Sequence, residues 1–161
     1  LALFEHAVKR LQHTATLIDS GRSALEQQMI AARGGCDFQA LFDESEVLVE
    51  VAVELCGEPV VFDQIYLVPE LFPGLTLERL SGGDRSLYSV FENDYGVRMI
   101  HAEERLRAVA ADLYSAGLLG VASGAPLLLV ERTAYTYGNK PVEWRRGLYC
   151  TNHHHYRNDL G

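Results

Sequence analysis

The strongest constraint on how this chain can fold is a motif that it carries twice. Val47, Val49, Val51, Val53 and Leu55 fall at every second position, the period of a strand with one strongly buried face. Gly57-Glu58-Pro59 then turns the chain, and Val60 to Leu67 reads as the returning strand of a β-hairpin. The pattern comes back as Leu127 to Tyr137, the turn Gly138-Asn139-Lys140-Pro141, and Val142 to Cys150. Gly-Glu-Pro-Val in the first copy answers to Gly-Asn-Lys-Pro-Val in the second. Two copies of one hairpin joined by a helix predict a pseudo-symmetric antiparallel sheet with helices packed on one side.

Around the hairpins the signals are more local. Phe4, Ala7, Val8, Leu11, Ala15 and Ile18 share a helical face and Gly21 supplies a C-cap, so residues 3 to 19 read as a helix. Ala24 to Arg33 has strong helix propensity but is short and ends at Gly34-Gly35, and Asp37 can cap a helical turn over Phe38 to Phe42. Pro69 and Pro73 bracket an irregular stretch that closes at Gly82-Gly83. Asp84 or Ser86 caps a helix running through Asn93, and Gly96 ends it. Val97 to Val109 is predicted to be a long strand, Asp112 to Ala116 a short helix ending at Gly117, and Ser123 to Pro126 a turn.

A chain of 161 residues fits one domain, here taken as residues 1–161, and can bury a core without disulfides or metals. Its net charge of −8 is the reverse of what a phosphate-backbone binder needs, so the chain is not expected to grip DNA or RNA by itself. The three cysteines, Cys36, Cys56 and Cys150, are odd in number and lack zinc-like spacing, which points to a reducing compartment. The longest apolar runs fall short of a membrane span, and no signal peptide opens the chain. A cytoplasmic protein without membrane contact is expected. The start at Leu1, without Met, reads as a fragment or a trimmed product.

His153-His154-His155 invites a metal reading. On an extended chain only His153 and His155 can share an ion, and no third ligand is evident, so no metal site and no cofactor are expected. His101 lies near Glu103 and Glu104, but the spacing is not that of a zinc-binding helix.

Several short motifs keep a particular order. Tyr66-Leu67-Val68-Pro69-Glu70-Leu71-Phe72-Pro73 is followed by Ser86-Leu87-Tyr88, Asp94-Tyr95-Gly96 and Ala108-Val109-Ala110-Ala111-Asp112. Then come Leu118-Leu119-Gly120-Val121, Gly124-Ala125-Pro126-Leu127-Leu128, Glu131-Arg132-Thr133-Ala134-Tyr135 and Pro141-Val142-Glu143-Trp144. In this order they resemble the UTRA (UbiC transcription regulator-associated) domain, the ligand-sensing half of HutC-type regulators in the GntR group. The resemblance spans roughly Glu26 to Tyr156. It implies an α+β, chorismate-lyase-like fold, a mainly antiparallel sheet of about six strands with flanking helices. It also implies a homodimer, a small-molecule effector, and DNA binding only through a winged helix-turn-helix ahead of Leu1. Residues 1–25 would then be the N-terminal helix and linker from that domain, and Gln27 to Arg33 a strand, against its local propensity.

The same resemblance nominates site residues. Alternation on the last strand puts Glu143, Arg145 and Tyr149 on one face and Trp144, Arg146, Leu148 and Cys150 on the other. Members that sense sugar phosphates turn the matching glutamate and tyrosine to the effector, which nominates Glu143 and Tyr149; a surface Glu and a core Tyr are the plain alternatives. Ser86 and Tyr88 match effector contacts at the start of the middle helix, where free N–H groups attract anions, or they simply cap the helix and fill the core. Asp63 matches an acidic position on the first hairpin's return strand, against the alternative of a solvated Asp. Those members also carry an Arg-x-Arg pair where this chain has Val51 and Val53, which cannot pair with phosphate oxygens. Arg98 and Arg145 remain as anion anchors, so the implied effector is a small polar or anionic metabolite. No catalytic residues are expected. The alternatives are a lyase-like enzyme with Glu143 as acid or base and Arg145 holding a carboxylate, and a dimerisation module with a vestigial pocket.

Overall fold

The structure, a computed structural model, describes residues 16–19, 47–55, 57–81 and 86–157. Six strands are present: β1 (Thr16–Asp19), β2 (Val47–Leu55), β3 (Glu58–Leu67), β4 (His101–Ala110), β5 (Pro126–Thr136) and β6 (Lys140–Tyr149). They form one sheet in the order β1-β2-β3-β6-β5-β4, antiparallel at every pairing. The two related hairpins, β2–β3 and β5–β6, meet through their second strands. Counted from each Pro-Val, Gln64 and Arg146 are equivalent, and they face each other across β3 and β6. The pseudo-two-fold axis therefore passes between them, where Arg146 Nη1 donates to Gln64 Oε1 at 3.2 Å.

Three helices lie in the described residues: α1 (Leu77–Ser81), α2 (Leu87–Tyr95) and α3 (Leu113–Leu119). Of the two proposed caps for α2, Ser86 takes the role, its Oγ accepting from the Ser89 N–H at 3.2 Å. Gly96, at φ 67°, ends the helix in the left-handed conformation. The Val97 N–H then closes the helix on the Phe91 carbonyl, so the next strand begins at His101 and not at Val97. Asp112 caps α3 through the Ser115 N–H at 2.8 Å. That helix runs past Gly117, a tolerated interior glycine, to Gly120 at φ 63°. The N-terminal helix expected over residues 3 to 19 is corrected at its end. Thr16–Asp19 is β1, paired with β2 from Thr16↔Glu50 to Asp19↔Val47. Thr and Ile are β-branched, and the free edge of β2 gives their backbone a ladder to join. The rest of that segment, and the expectations for 24–33 and 37–42, lie outside the described residues.

The helices do not share one side of the sheet. On one face Ile65, Leu67 and Val142 pack against Phe72, Val90 and Phe91 of α2 and its approach. On the other, Phe62, Leu129 and Leu148 pack against Ala116 and Leu119 of α3. Both faces of the central strands are apolar at these positions, so each demands a cover. Edge strand β4 remains exposed along almost its whole length. Among the described residues no helix is long and apolar enough to cross a membrane.

Candidate functional site

Strand pleat and register assemble the site. Glu143, Arg145, Gly147 and Tyr149 alternate onto the α2 side of β6, opposite Leu67, Ile65, Asp63 and Val61 of β3. Arg132 of β5 is the cross-strand partner of Arg145 on its other flank. Gly147 matters because it is small. A methyl group there would collide with Asp63 Oδ1 and with the Tyr149 ring, which both lie across its Cα. This lets the Asp63 carboxylate lean toward Arg145, to 3.5 Å from Nη1.

Arg145 is the hub. Its Nε donates to Glu143 Oε1 at 3.1 Å and its Nη2 to the Tyr88 hydroxyl at 3.2 Å. Tyr88 in turn donates to Glu143 Oε1 at 3.3 Å. Glu143, Asp63 and Arg145 are almost completely buried, at 0%, 1% and 3% exposure, where unpaired charge is not tolerated. The guanidinium carbons of Arg145 and Arg132 lie 5.6 and 5.5 Å from the Tyr88 ring centroid, within cation–π range. Within this cluster two acceptor oxygens, Asp63 Oδ1 and Glu143 Oε2, and one donor, Arg132 Nε, are buried without a hydrogen-bond partner.

Burial sets the proton affinities. It pushes Asp63 up to about 6, with Arg145 opposing the rise and Glu143 adding to it. Burial, then Glu143, pushes Tyr88 up to about 12. Tyr149 is raised by burial and by Asp63. For Arg145 burial works against the charge, but Glu143, Tyr88 and Asp63 together hold the proton more firmly than usual.

A cavity of about 670 Å³ opens beside this cluster. Arg132, Arg145 and Tyr149 form its polar floor, and Val53, Val61, Leu106 and Val130 stand in its walls. The chain after β6, from Thr151 through His153–Arg157, forms a further wall. Tyr156 holds that segment in place: its hydroxyl donates to Glu104 Oε2, and its ring meets Tyr149 edge-on at 6.2 Å. Burial, then the Glu104 contact, pushes Tyr156 up to about 12. The three histidines line the cavity, but among the described residues no three His, Cys, Asp or Glu side chains converge as metal ligands would.

Of the residues nominated from sequence, Asp63, Tyr88, Glu143, Arg145 and Tyr149 come together; Arg145 and Tyr149 line the cavity, and the other three support them from behind. Ser86 caps α2 at the far end of Tyr88's helix turn. Arg98 stands apart, exposed, 3.6 Å from Glu92. Sequence reasoning passed over Arg132, Gly147, Glu104 and Tyr156. Arg132 had a signal: it alternates with Val130 and Ala134 on a strand already assigned to the second hairpin. Chemically the arrangement can hold an anionic or hydrogen-bonding group against Arg132, Arg145 and Tyr149. Glu143 is fully buried with Oε1 engaged twice, a poor position from which to exchange protons with a substrate.

Residues 36–155 match the UTRA domain model. A solved ligand-binding domain from Bordetella bronchiseptica, assigned to a GntR-family transcriptional regulator, is 39% identical with a TM-score of 0.71, over 92% of each chain. A GntR-family transcriptional regulator from Enterococcus faecalis superposes with a TM-score of 0.70 at 17% identity, over 92% of this chain and 99% of that one, and so supports the fold alone. The HTH-type transcriptional regulator Rv0792c of Mycobacterium tuberculosis is 34% identical over 87 residues, 53% of this chain. That match spans 32% of the regulator's length. With its α+β antiparallel sheet, its paired hairpins and this family match over most of its length, the chain belongs to the UTRA domain family.

Proposed function

We propose that this domain is the effector-sensing part of a GntR-group, HutC-type transcription regulator, working in the cytoplasm as a homodimer. A small polar or anionic metabolite occupies the cavity, and a winged helix-turn-helix outside this chain contacts DNA. The observation that carries the reading is the cavity of about 670 Å³ with a charged, hydrogen-bonded floor, in the size range of small-molecule sites. The effector acts by binding one arrangement of the dimer more tightly than the other, and it shifts DNA affinity only by that difference. An open cavity supports sensing over a vestigial pocket, and the buried Glu143 supports binding over lyase chemistry.

The test pairs two measurements. A metabolite at a hundred times its dissociation constant stabilises the domain by about 2.7 kcal/mol, visible as a raised melting temperature. The same metabolite must change the affinity of the full-length regulator for its own DNA. A ligand that stabilises the domain and leaves DNA affinity untouched defeats the sensor reading.

A further inference from the structure

The floor of the cavity holds two guanidiniums in unlike states. Arg145 is engaged by Glu143 at 3.1 Å, Asp63 at 3.5 Å and Tyr88 at 3.2 Å. Arg132 beside it has no ion pair among the described residues, and its buried Nε lacks any hydrogen-bond partner. Its cross-strand neighbour Glu104 is taken by Tyr156. Arg132 lines the cavity, and a native fold rarely buries a charged donor without giving it an acceptor. The Arg132 side chain is only partly buried and borders the cavity, so its guanidinium is available to an anion held there.

The walls say what the rest of that molecule is. Val53, Val61, Met99, Ile100, Leu106 and Val130 all face the space. Ile100 and Leu106 are 47% and 46% exposed, so their apolar side chains are open to whatever fills the space. Polar groups stand in the lining too, among them His101, Thr151 and the three histidines, but apolar surface makes up the greater part of it, which favours a mainly apolar body over a ring of hydroxyls. A phosphate ester brings two negative charges to a floor where only Arg132 lacks an ion pair to the described residues and where two buried carboxylates lie behind Arg145.

We infer that the cavity takes an amphiphilic carboxylic acid, one carboxylate paired with Arg132 and a mainly apolar body lying against Val53, Val61, Leu106 and Val130. The inference rests on reading the cavity as the effector site, and it narrows that reading from polar metabolites in general to apolar monoanions. Arg132 pairs with the carboxylate through the planar fork that suits it. Arg145 keeps its internal partners and holds Tyr88 in place beneath both guanidiniums.

The test measures binding of octanoate, phenylacetate and indole-3-acetate to the purified chain, each against its own primary amide, with glucose 6-phosphate as the dianionic polyol. The acids are expected to bind saturably and at least about tenfold more tightly than their amides, the effect of one charge-assisted contact. Arg132→Leu abolishes that preference while amide binding survives, and Arg132→Lys retains part of it; melting of the unliganded variants confirms that each is folded. Equal binding of acid and amide, an unchanged preference in Arg132→Leu, tighter binding of glucose 6-phosphate, or no binding by any acid at about 10 mM overturns the inference. Preference for glucose 6-phosphate would leave the sensor reading standing. An acid that binds through Arg132 but leaves the full-length regulator's DNA affinity unchanged would do the reverse.

Discussion

Counted from the Pro-Val of each turn, Asp63 in the first hairpin holds the place that Arg145 holds in the second. Their cross-strand partners, Val51 and Arg132, are equivalent as well. So are Val61 and Glu143, Ile65 and Gly147, Leu67 and Tyr149. The two hairpins thus share a backbone plan and differ in what they present to one face of the sheet. The first offers apolar side chains and a single acid; the second offers a base, an acid, a phenol, a gap and a further base. What the difference teaches is a division of labour. The repeat supplies the frame, and the chemistry comes from positions where the second copy departs from the first. Besides the Arg146–Gln64 hydrogen bond at the axis itself, the two copies touch where Asp63 and Arg145 approach to 3.5 Å.

Breaking that contact from the side of the base has the largest expected effect. Arg145→Met leaves Glu143 and Asp63 buried with no cation between them, and loss of one partner from a buried ion pair costs about 3–5 kcal/mol. Urea denaturation should show this as a shifted midpoint. Arg145→Met combined with Asp63→Val should lose less than the two single losses added together, by at least about 1 kcal/mol, because the residues act on each other directly. Strict additivity would mean that the two hairpins do not communicate through this pair.

The second break is made with protons. Asp63 in the fold holds its proton up to about pH 6, against an ordinary value of 3.8, chiefly because it is buried. Between those two pH values the folded chain binds more protons at this site than the unfolded chain does. The sign follows: this group makes the fold less stable as pH rises from about 4 through about 6, by something on the order of 3 kcal/mol. Asp63→Asn should remove that component from a plot of unfolding free energy against pH. If the slope survives the substitution, Asp63 is ionised as easily in the fold as outside it. A smaller effect is expected where the second hairpin has its gap. Gly147→Ala pushes a methyl group into the Asp63 carboxylate and the Tyr149 ring, an overpacking cost of about 1–3 kcal/mol. Ile65→Ala, at the equivalent place in the first hairpin, should cost through a cavity instead of a clash. Rescue of Gly147→Ala by Tyr149→Ser would identify the ring as the obstacle.

Much of the frame was legible because strands announce themselves by alternation and turns by Gly and Pro. Both hairpins, their antiparallel sense, a start for α2 at Asp84 or Ser86 and its end at Gly96 follow from such local signals. Alternation also put Glu143, Arg145 and Tyr149 on one face. What the residues alone could not supply was register. Whether Asp63 lands opposite Gly147 depends on how two hairpins far apart in sequence slide against each other. Arg132 pairs with Arg145 inside the second hairpin, but a register shift between Ala134 and Tyr135 hides that pairing from a count along the turn. Arg98 was nominated because its charge was visible while its place, exposed beside Glu92, was not. The limits of β4 and α3 were misplaced for a smaller reason. Val97 is apolar enough to read as strand, yet its N–H closes a helix, and Gly117 reads as a stop although Gly120 provides it.

The mildest prediction concerns an ion pair that looks better than any in the buried cluster. Arg107 Nη2 donates to Glu131 Oε2 at 2.6 Å, shorter than either of Arg145's contacts with a carboxylate. It also joins neighbouring strands, β4 and β5, so on distance alone it should outrank the pair across the axis. Solvent reverses the order. The Arg107 side chain is 58% exposed, so water and salt screen its charge, and if the bond breaks the guanidinium is simply hydrated. Arg107→Ala should therefore cost between zero and about 1 kcal/mol, and less still at high salt. A loss approaching that of Arg145→Met would put separation ahead of desolvation as the quantity that ranks these pairs, and would undo the contrast between the buried and exposed charges of the second hairpin.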